Sequence, residues 1–445
     1  MTIAAIATGP ERSALGVIRI SGPMSLWLLE NLIRPPADAR KVLSFKQNPR
    51  KLILGILQTE AGEIVDEVLA VYFPGPASFT GEDSAEITLH GNPVLLRQAM
   101  EAFTQIDGVR PAKPGEFTSR SFKNGRMDLT RAESVLQLIE ARSDYEVAAA
   151  RELHGGELAR RMSRLRSALI GLKAESEAEI DFSTEDLTFE SRKERITRIS
   201  SLVKEIDWLL ARGAATGRIR EGISVVLVGV PNAGKSSLLN RLLGYDRAIV
   251  TEIPGTTRDT LSEVLQIAGI PVRLVDTAGI RDTTDVVERE GVRRSLAELE
   301  AGTIVLHVVD ASAPILAPAE FADNVIHVLN KIDVRLPGLG TPPGWIEVSC
   351  KSGEGVERLE QEIRSRVLVE PESRDPLLLL DRHRFHLNRM RGSLLKVVEL
   401  WAQSAPDEIA ALEIDEVLEH AGSITGEIST EEILGRIFSV FCVGK

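Results

Sequence analysis

Apolar residues change rhythm several times along this chain. In the first part they come in short runs, at 16–20, 67–73 and 84–89, separated by turn formers such as Pro74-Gly75-Pro76. Such runs predict strands, and 94–103 reads as a helix beside them, so residues 1–118 are expected to form an α+β domain. From 126 to 212 Gly and Pro thin out, and 132–139 and 162–180 carry apolar residues at three- and four-residue spacing, the period of amphipathic helices. Apolar runs then return at 223–228, 271–275, 324–329 and 345–348, the texture of an α/β domain with a doubly wound sheet. That stretch ends with a helical pattern at 355–369 and the breaker Glu370-Pro371-Glu372. Helical texture resumes near 376 and continues to the end. The segments are 1–118, 119–219, 220–371 and 372–445, and the economical reading is one all-α domain in two pieces with the α/β domain inserted.

Composition narrows the class. At 445 residues the chain is too long for one ordinary core. With 43% apolar and 27% charged residues it reads as globular, and no run approaches the roughly 18 apolar residues of a membrane span. The first residues lack a basic region, so a secretory signal is not expected. Two cysteines, Cys350 and Cys442, give no disulfide framework and suit a reducing cytoplasm. A net charge of −12 argues against a whole-surface electrostatic grip on nucleic acid.

The chemistry is concentrated in the inserted segment. Gly229-Val230-Pro231-Asn232-Ala233-Gly234-Lys235-Ser236, followed by Ser237, is a phosphate-binding loop between a strand and a helix. The glycines let amides curl around a phosphate at a helix N-terminus, Lys235 adds a charge, and Ser236 offers a hydroxyl to Mg²⁺. Asp276-Thr277-Ala278-Gly279 is the D-x-x-G form, in which Asp276 can hold Mg²⁺ through water and the Gly279 amide can sense the γ-phosphate. Asn330-Lys331-Ile332-Asp333 is the guanine-reading N-K-x-D. Asp333 accepts from N1–H and N2–H₂ of guanine, donors that adenine lacks. Ser349-Cys350-Lys351 opens a loop whose amides can meet the guanine O6. Four ordered motifs at strand ends indicate a GTPase domain. Ile280 stands where Ras-like GTPases place a water-orienting Gln, so hydrolysis needs help from elsewhere. An external activator of a slow switch is one reading of that.

Further motifs extend the picture to the whole chain. Thr425-Gly426-Glu427, 433–439 and Phe441-Cys442-Val443-Gly444-Lys445, with Gly255-Thr256-Thr257-Arg258-Asp259, closely resemble the bacterial tRNA modification GTPase family MnmE (TrmE). Residues 16–22, Phe79-Thr80-Gly81-Glu82-Asp83, Pro114-Gly115-Glu116-Phe117 and Asp128-Leu129 match as well. The resemblance implies an N-terminal domain that binds tetrahydrofolate and forms a homodimer, a discontinuous helical domain, and an inserted Ras-like GTPase domain. It implies an FAD-dependent partner, MnmG, and a tRNA substrate. The modification is an aminomethyl or carboxymethylaminomethyl group at C5 of wobble uridine 34, with a 5-formyl- or 5,10-methylene-tetrahydrofolate as one-carbon donor. A GTPase switch in ribosome assembly, with binding modules at its flanks, is the alternative.

The same resemblance assigns residues. It implies activation when two GTPase domains meet, with K⁺ held by Asn232, Thr251, Ile253 and Thr256. Glu252, Pro254 and Gly255 complete that nucleotide-contacting loop, and Thr257 joins Ser236 on Mg²⁺. Glu288 matches the acidic residue that orients the attacking water; in sequence alone it is one charge on a solvated face. Arg258 is read as stabilising the switch rather than as an arginine finger. Arg19, Glu86, Arg126 and Lys445 match the folate contacts. Cys442 either serves the modification chemistry or packs near the folate site.

Overall fold

The computed structural model describes residues 1–36, 44–181, 190–245, 264–267, 269–275, 304–314, 324–368 and 375–444. They fall into two compact units. One comprises Met1–Leu136, Leu158–Ser167 and Leu418–Lys445, the other Gln137–Glu157 and Ala168–Val417.

The first unit is built on a seven-stranded sheet, as the α+β expectation required. Its strands are β1 (Thr2–Ile6), β2 (Leu15–Ser21), β3 (Ile33–Arg34), β4 (Ile53–Gln58), β5 (Ile64–Phe73), β6 (Ser84–His90) and β7 (Val109–Pro111). Their order is β3-β4-β5-β6-β2-β1-β7, antiparallel except for the β1–β7 pair. β1 lacks polar alternation because it lies between two neighbours with Ile3, Ala4 and Ala5 all buried. Helices α1 (Ser25–Leu32) and α2 (Pro93–Thr104) cover one face, where Ile18, Ile20, Val68, Ala70, Ala85 and Ile87 form the core with Leu28, Leu29, Leu96 and Phe103. The other face carries Leu54 opposite Leu69, Leu69 opposite Thr88, and Arg19 opposite Glu86. Leu54 is 47% exposed and Leu69 40%, so part of this face is apolar and open.

α3 (Glu116–Lys123) and α4 (Leu129–Glu140) follow. The start of α3 is set by Gly115 at a left-handed φ of 65°. A Cβ there would stand 2.4 Å from the Phe438 carbonyl oxygen, so glycine lets the C-terminal part of the chain come close. Leu129, Ala132 and Leu136 pack with Leu434, Phe438 and Phe441, which places the tail on the N-terminal unit.

The second unit holds α5 (Asp144–His154), most of α6 (Glu157–Asp181) and α7 (Arg192–Arg220), then the inserted α/β domain. α7 runs past residue 212 to the threshold of the next strand, because Ala215, Thr216 and Ile219 remain buried on its inner face. The inserted sheet comprises β8 (Ile223–Val228), β9 (Val264–Ile267), β10 (Ile270–Val275), β11 (Ile304–Asp310), β12 (Val325–Asn330) and β13 (Ile346–Val348). Its order is β13-β12-β11-β8-β10-β9, parallel except for β9. α8 (Lys235–Tyr245) and α9 (Val356–Val367) accompany it. After the insertion come α10 (Asp381–Ala402) and α11 (Asp407–Thr425), whose last turns belong, with α12 (Glu431–Ser439), to the first unit.

The two helical pieces pack together, which periodicity alone could not establish. The Leu377 amide donates to Thr216 Oγ1 at 3.0 Å, Arg212 meets Asp375, and Arg391 meets Asp207. The Tyr145 amide donates to the Gly269 carbonyl at 3.0 Å, tying α5 to the β9–β10 turn. No helix among the described residues is long and apolar enough to cross a membrane.

Candidate functional site

The phosphate loop leaves β8 and enters α8, and its shape depends on missing side chains. A Cβ on Gly229 would stand 2.2 Å from the Val308 carbonyl oxygen. One on Gly234, at φ +93°, would stand 2.2 Å from Asn330 Nδ2. Asn232 adopts φ +62°, a conformation that Asn tolerates better than most residues. Ala233 is buried, while Ser236 and Ser237 are exposed in the first turn of α8. Lys235 Nζ donates to the Gly229 carbonyl at 2.6 Å and to that of Val230 at 3.2 Å, which keeps the ammonium over the loop.

The segment 330–333 is locked to this loop. Asn330 ends β12 and is only 1% exposed. Its Nδ2 donates to the Ala233 carbonyl at 3.0 Å, and its Oδ1 accepts from the Lys331 amide at 2.8 Å and from Cys350 Sγ at 3.2 Å. Burial pushes the Cys350 thiol up, so it stays a protonated donor. Lys331, at φ +63°, donates from Nζ to the Asn232 carbonyl at 2.7 Å. Asp333 sits in the single helical turn Ile332–Val334. The fully buried Ser349 donates from Oγ to Asp333 Oδ1 at 2.7 Å and accepts from the Ser352 amide at 3.2 Å. Lys351 is exposed on the same loop. One strand-end cluster therefore joins two motifs separated by about a hundred residues of chain, the arrangement that a doubly wound sheet offers at its C-terminal edge.

Asp310 and Ser312 belong to none of the sequence motifs. Asp310 Oδ2 lies 2.6 Å from Lys331 Nζ, and its Oδ1 accepts from the Ser312 amide and hydroxyl at 2.8 and 2.6 Å. Burial works to raise its pKa, but the bonds from Lys331 and Ser312 outweigh that and hold the carboxyl below its ordinary value. The available signal was an acidic residue at the end of an apolar run. Residues 251–258, 276–280 and 288, to which Mg²⁺, K⁺ and water-orienting roles are assigned, lie outside the described residues.

A second candidate site lies in the N-terminal unit. Arg19, Phe73, Phe79, Thr80, Ser84 and Glu86 line a cavity of about 130 Å³. Arg19 and Glu86 are register partners on β2 and β6, and Arg19 Nε and Nη2 both donate to Glu86 Oε1, at 3.0 and 2.8 Å. The guanidinium also lies 5.4 Å from the Phe79 ring centre and 5.9 Å from that of Phe117. Thr80 bonds Ser21 at 2.7 Å and Ser84 at 3.1 Å, giving the cavity a hydroxyl-lined floor. The Arg126 stem runs beside Gly81, where a Cβ would stand 3.3 Å from Arg126 Cγ. Three of the four residues matched to folate thus gather around the 79–86 segment, and the fourth, Lys445, lies outside the described residues. The cation, the carboxylate and the aromatic wall suit a polar heteroaromatic ligand with an acidic tail. The exposed Cys442 offers its carbonyl to the Gly115 amide at 3.4 Å and touches no residue of the cavity through a described hydrogen bond.

Comparison with known proteins matches the full chain. The model of the GTP-binding protein TrmE N-terminus matches residues 2–126, and that of the MnmE helical domain matches residues 129–442. The chain is 41% identical to the tRNA modification GTPase MnmE of Leptospira biflexa, over 100% of this chain and 99% of that protein. It is 40% identical to the proteins of the same name from Akkermansia muciniphila and Aquifex aeolicus, again over 100% of this chain and 99% of each.

Proposed function

Because the chain belongs to the tRNA modification GTPase MnmE family, we propose that it hydrolyses GTP to drive modification of C5 of wobble uridine 34 in certain tRNAs, acting with the FAD-dependent MnmG. The added group is aminomethyl or carboxymethylaminomethyl. The domains proposed are folate-binding at 1–118, helical at 119–219 and 372–445, and GTPase at 220–371.

Within the GTPase domain, Gly229 to Ser237 cradle the phosphates and Asp333 reads guanine. Ser236 and Thr257 hold Mg²⁺; Asn232, Thr251, Ile253 and Thr256 hold K⁺. Bound there, the ions supply positive charge for the phosphoryl oxygens, the part an arginine plays in other GTPases. Glu288 orients the water, since Ile280 has no polar atom with which to do so. The exposed Asn232 side chain at its left-handed position, and Ser236 in the first turn of α8, suit these oxygen-ligand roles.

The observation that carries the folate reading is the cavity lined by Arg19 and Glu86. When bound, the folate supplies the one-carbon unit. Arg19 and Arg126 provide cations for its acidic tail, and Glu86 an acceptor for pterin N–H groups. A volume of about 130 Å³ is small for such a ligand, whose sites run to roughly 300–1,000 Å³. The remainder of the site comes from the Lys445 tail and from a second subunit laid on the open apolar face around Leu54 and Leu69.

Mass analysis of tRNA nucleosides tests the reading. Cells lacking this protein should lose the C5 substituent of wobble uridines and regain it with the intact gene but not with Arg19→Ala. Intact modification in the deleted cells would exclude the assignment and favour a switch in another process.

A further inference from the structure

We propose that Asp310 is a positioning residue for the nucleotide, acting through Lys331 on the phosphate loop. The proposal uses only the GTP-binding role of the site and not the ion or folate assignments. Asp310 ends β11 and is the register partner of Asn330. Its side chain is 16% exposed and both its oxygens are engaged. Oδ1 is turned by the amide and hydroxyl of Ser312, which leaves Oδ2 facing Lys331 Nζ at 2.6 Å. The same ammonium reaches the Asn232 carbonyl at 2.7 Å. One carboxylate thus fixes a cation, and that cation fixes the loop residue that stands in the left-handed region.

Lysine is a flexible point charge that loses much rotamer freedom when held in one place. A neutral carbonyl alone is a weak anchor for it. A charge-assisted bond to a partly buried carboxylate is about twice as strong as a neutral one. Removing Asp310 leaves Lys331 free to leave the loop, and a nucleotide then has to order both on binding. Asn330 makes a separate tie, from Nδ2 to the Ala233 carbonyl, so the site keeps its fold and loses only preorganisation.

The test is release of fluorescent N-methylanthraniloyl-GDP from the full chain in Na⁺ buffer. Asp310→Ala should speed release about tenfold, which equals ~1.4 kcal/mol. Asp310→Asn should fall between, because an amide oxygen still accepts from the ammonium without the charge. Lys331→Ala should also speed release, and the double variant Asp310→Ala/Lys331→Ala should release no faster than Lys331→Ala alone. An unchanged rate in Asp310→Ala, or full additivity in the double variant, overturns the proposal. Should Asp310→Ala fail to fold, Ser312→Ala serves: a rise of about threefold supports the proposal and an unchanged rate overturns it.

Discussion

Asn232 shows how much one residue can be asked to do. Its backbone stands at φ +62°, its carbonyl accepts from Lys331, and its amide is the proposed K⁺ ligand. GTP turnover should be faster in K⁺ than in Na⁺ at equal ionic strength. Asn232→Ala would remove the amide but also strain the backbone, by roughly 1 kcal/mol for a non-Gly residue in the left-handed region. Asn232→Gly separates the two effects, since glycine adopts positive φ freely. We expect the Gly variant to bind GTP nearly as well and to lose most of the K⁺ advantage. Equal rates of the unaltered protein in the two salts would count against the ion-assisted mechanism.

At the scale of elements, the parallel strands β11 and β12 place His307 directly opposite His327. The two Nδ1 atoms lie 3.0 Å apart, and the His327 ring stacks on Trp345 at 4.8 Å. Burial, then the charge of His327, lowers the pKa of His307 to about 4; burial, then Arg366, lowers that of His327. A depressed histidine favours the folded state while neutral. Its contribution is complete above the unfolded value of 6.5 and is lost as the pH falls toward about 4. The inserted domain should therefore unfold at lower denaturant concentration as pH drops through that window. His307→Gln should flatten the pH dependence, followed as the change in tryptophan fluorescence between variant and parent. The same pH slope in both proteins would show that these rings do not set it.

Across the whole molecule, the C-terminal tail belongs to the first unit. Phe438 and Phe441 pack with Leu129 and Ala132, and a Cβ on Gly444 would stand 2.6 Å from the Ile6 carbonyl oxygen. The tail is therefore docked close against β1, in contrast with the frayed end expected of most chains. Removing residues 442–445 should weaken binding of 5-formyltetrahydrofolate and abolish wobble modification. GTP affinity should survive, because the nucleotide cluster lies wholly in the other unit. Calorimetric titration of both ligands into the truncated protein checks this, and full folate affinity without the tail would remove Lys445 from the site.

Some of this architecture is dictated locally and can be read as text. The loop 229–236, the N-K-x-D at 330–333 and the alternation of strands and helices between them are short-range patterns, because a helix N-terminus and a glycine turn depend on neighbours in sequence. They marked the inserted segment as a GTPase domain. β1 and β11 end in no recognised motif, so their short apolar runs stand out less than those at 223–228 and 324–329. The pairing of Arg19 with Glu86, the packing of the two helical pieces and the docking of the tail join residues far apart in the chain. Asp310 was silent for the same reason. Its partner Lys331 follows directly after the next strand, and only the parallel pairing of β11 with β12 sets the carboxylate beside the ammonium. Local chemistry thus marked the inserted segment as a GTPase domain, while tertiary register decided which distant charges meet beside the loop 229–236.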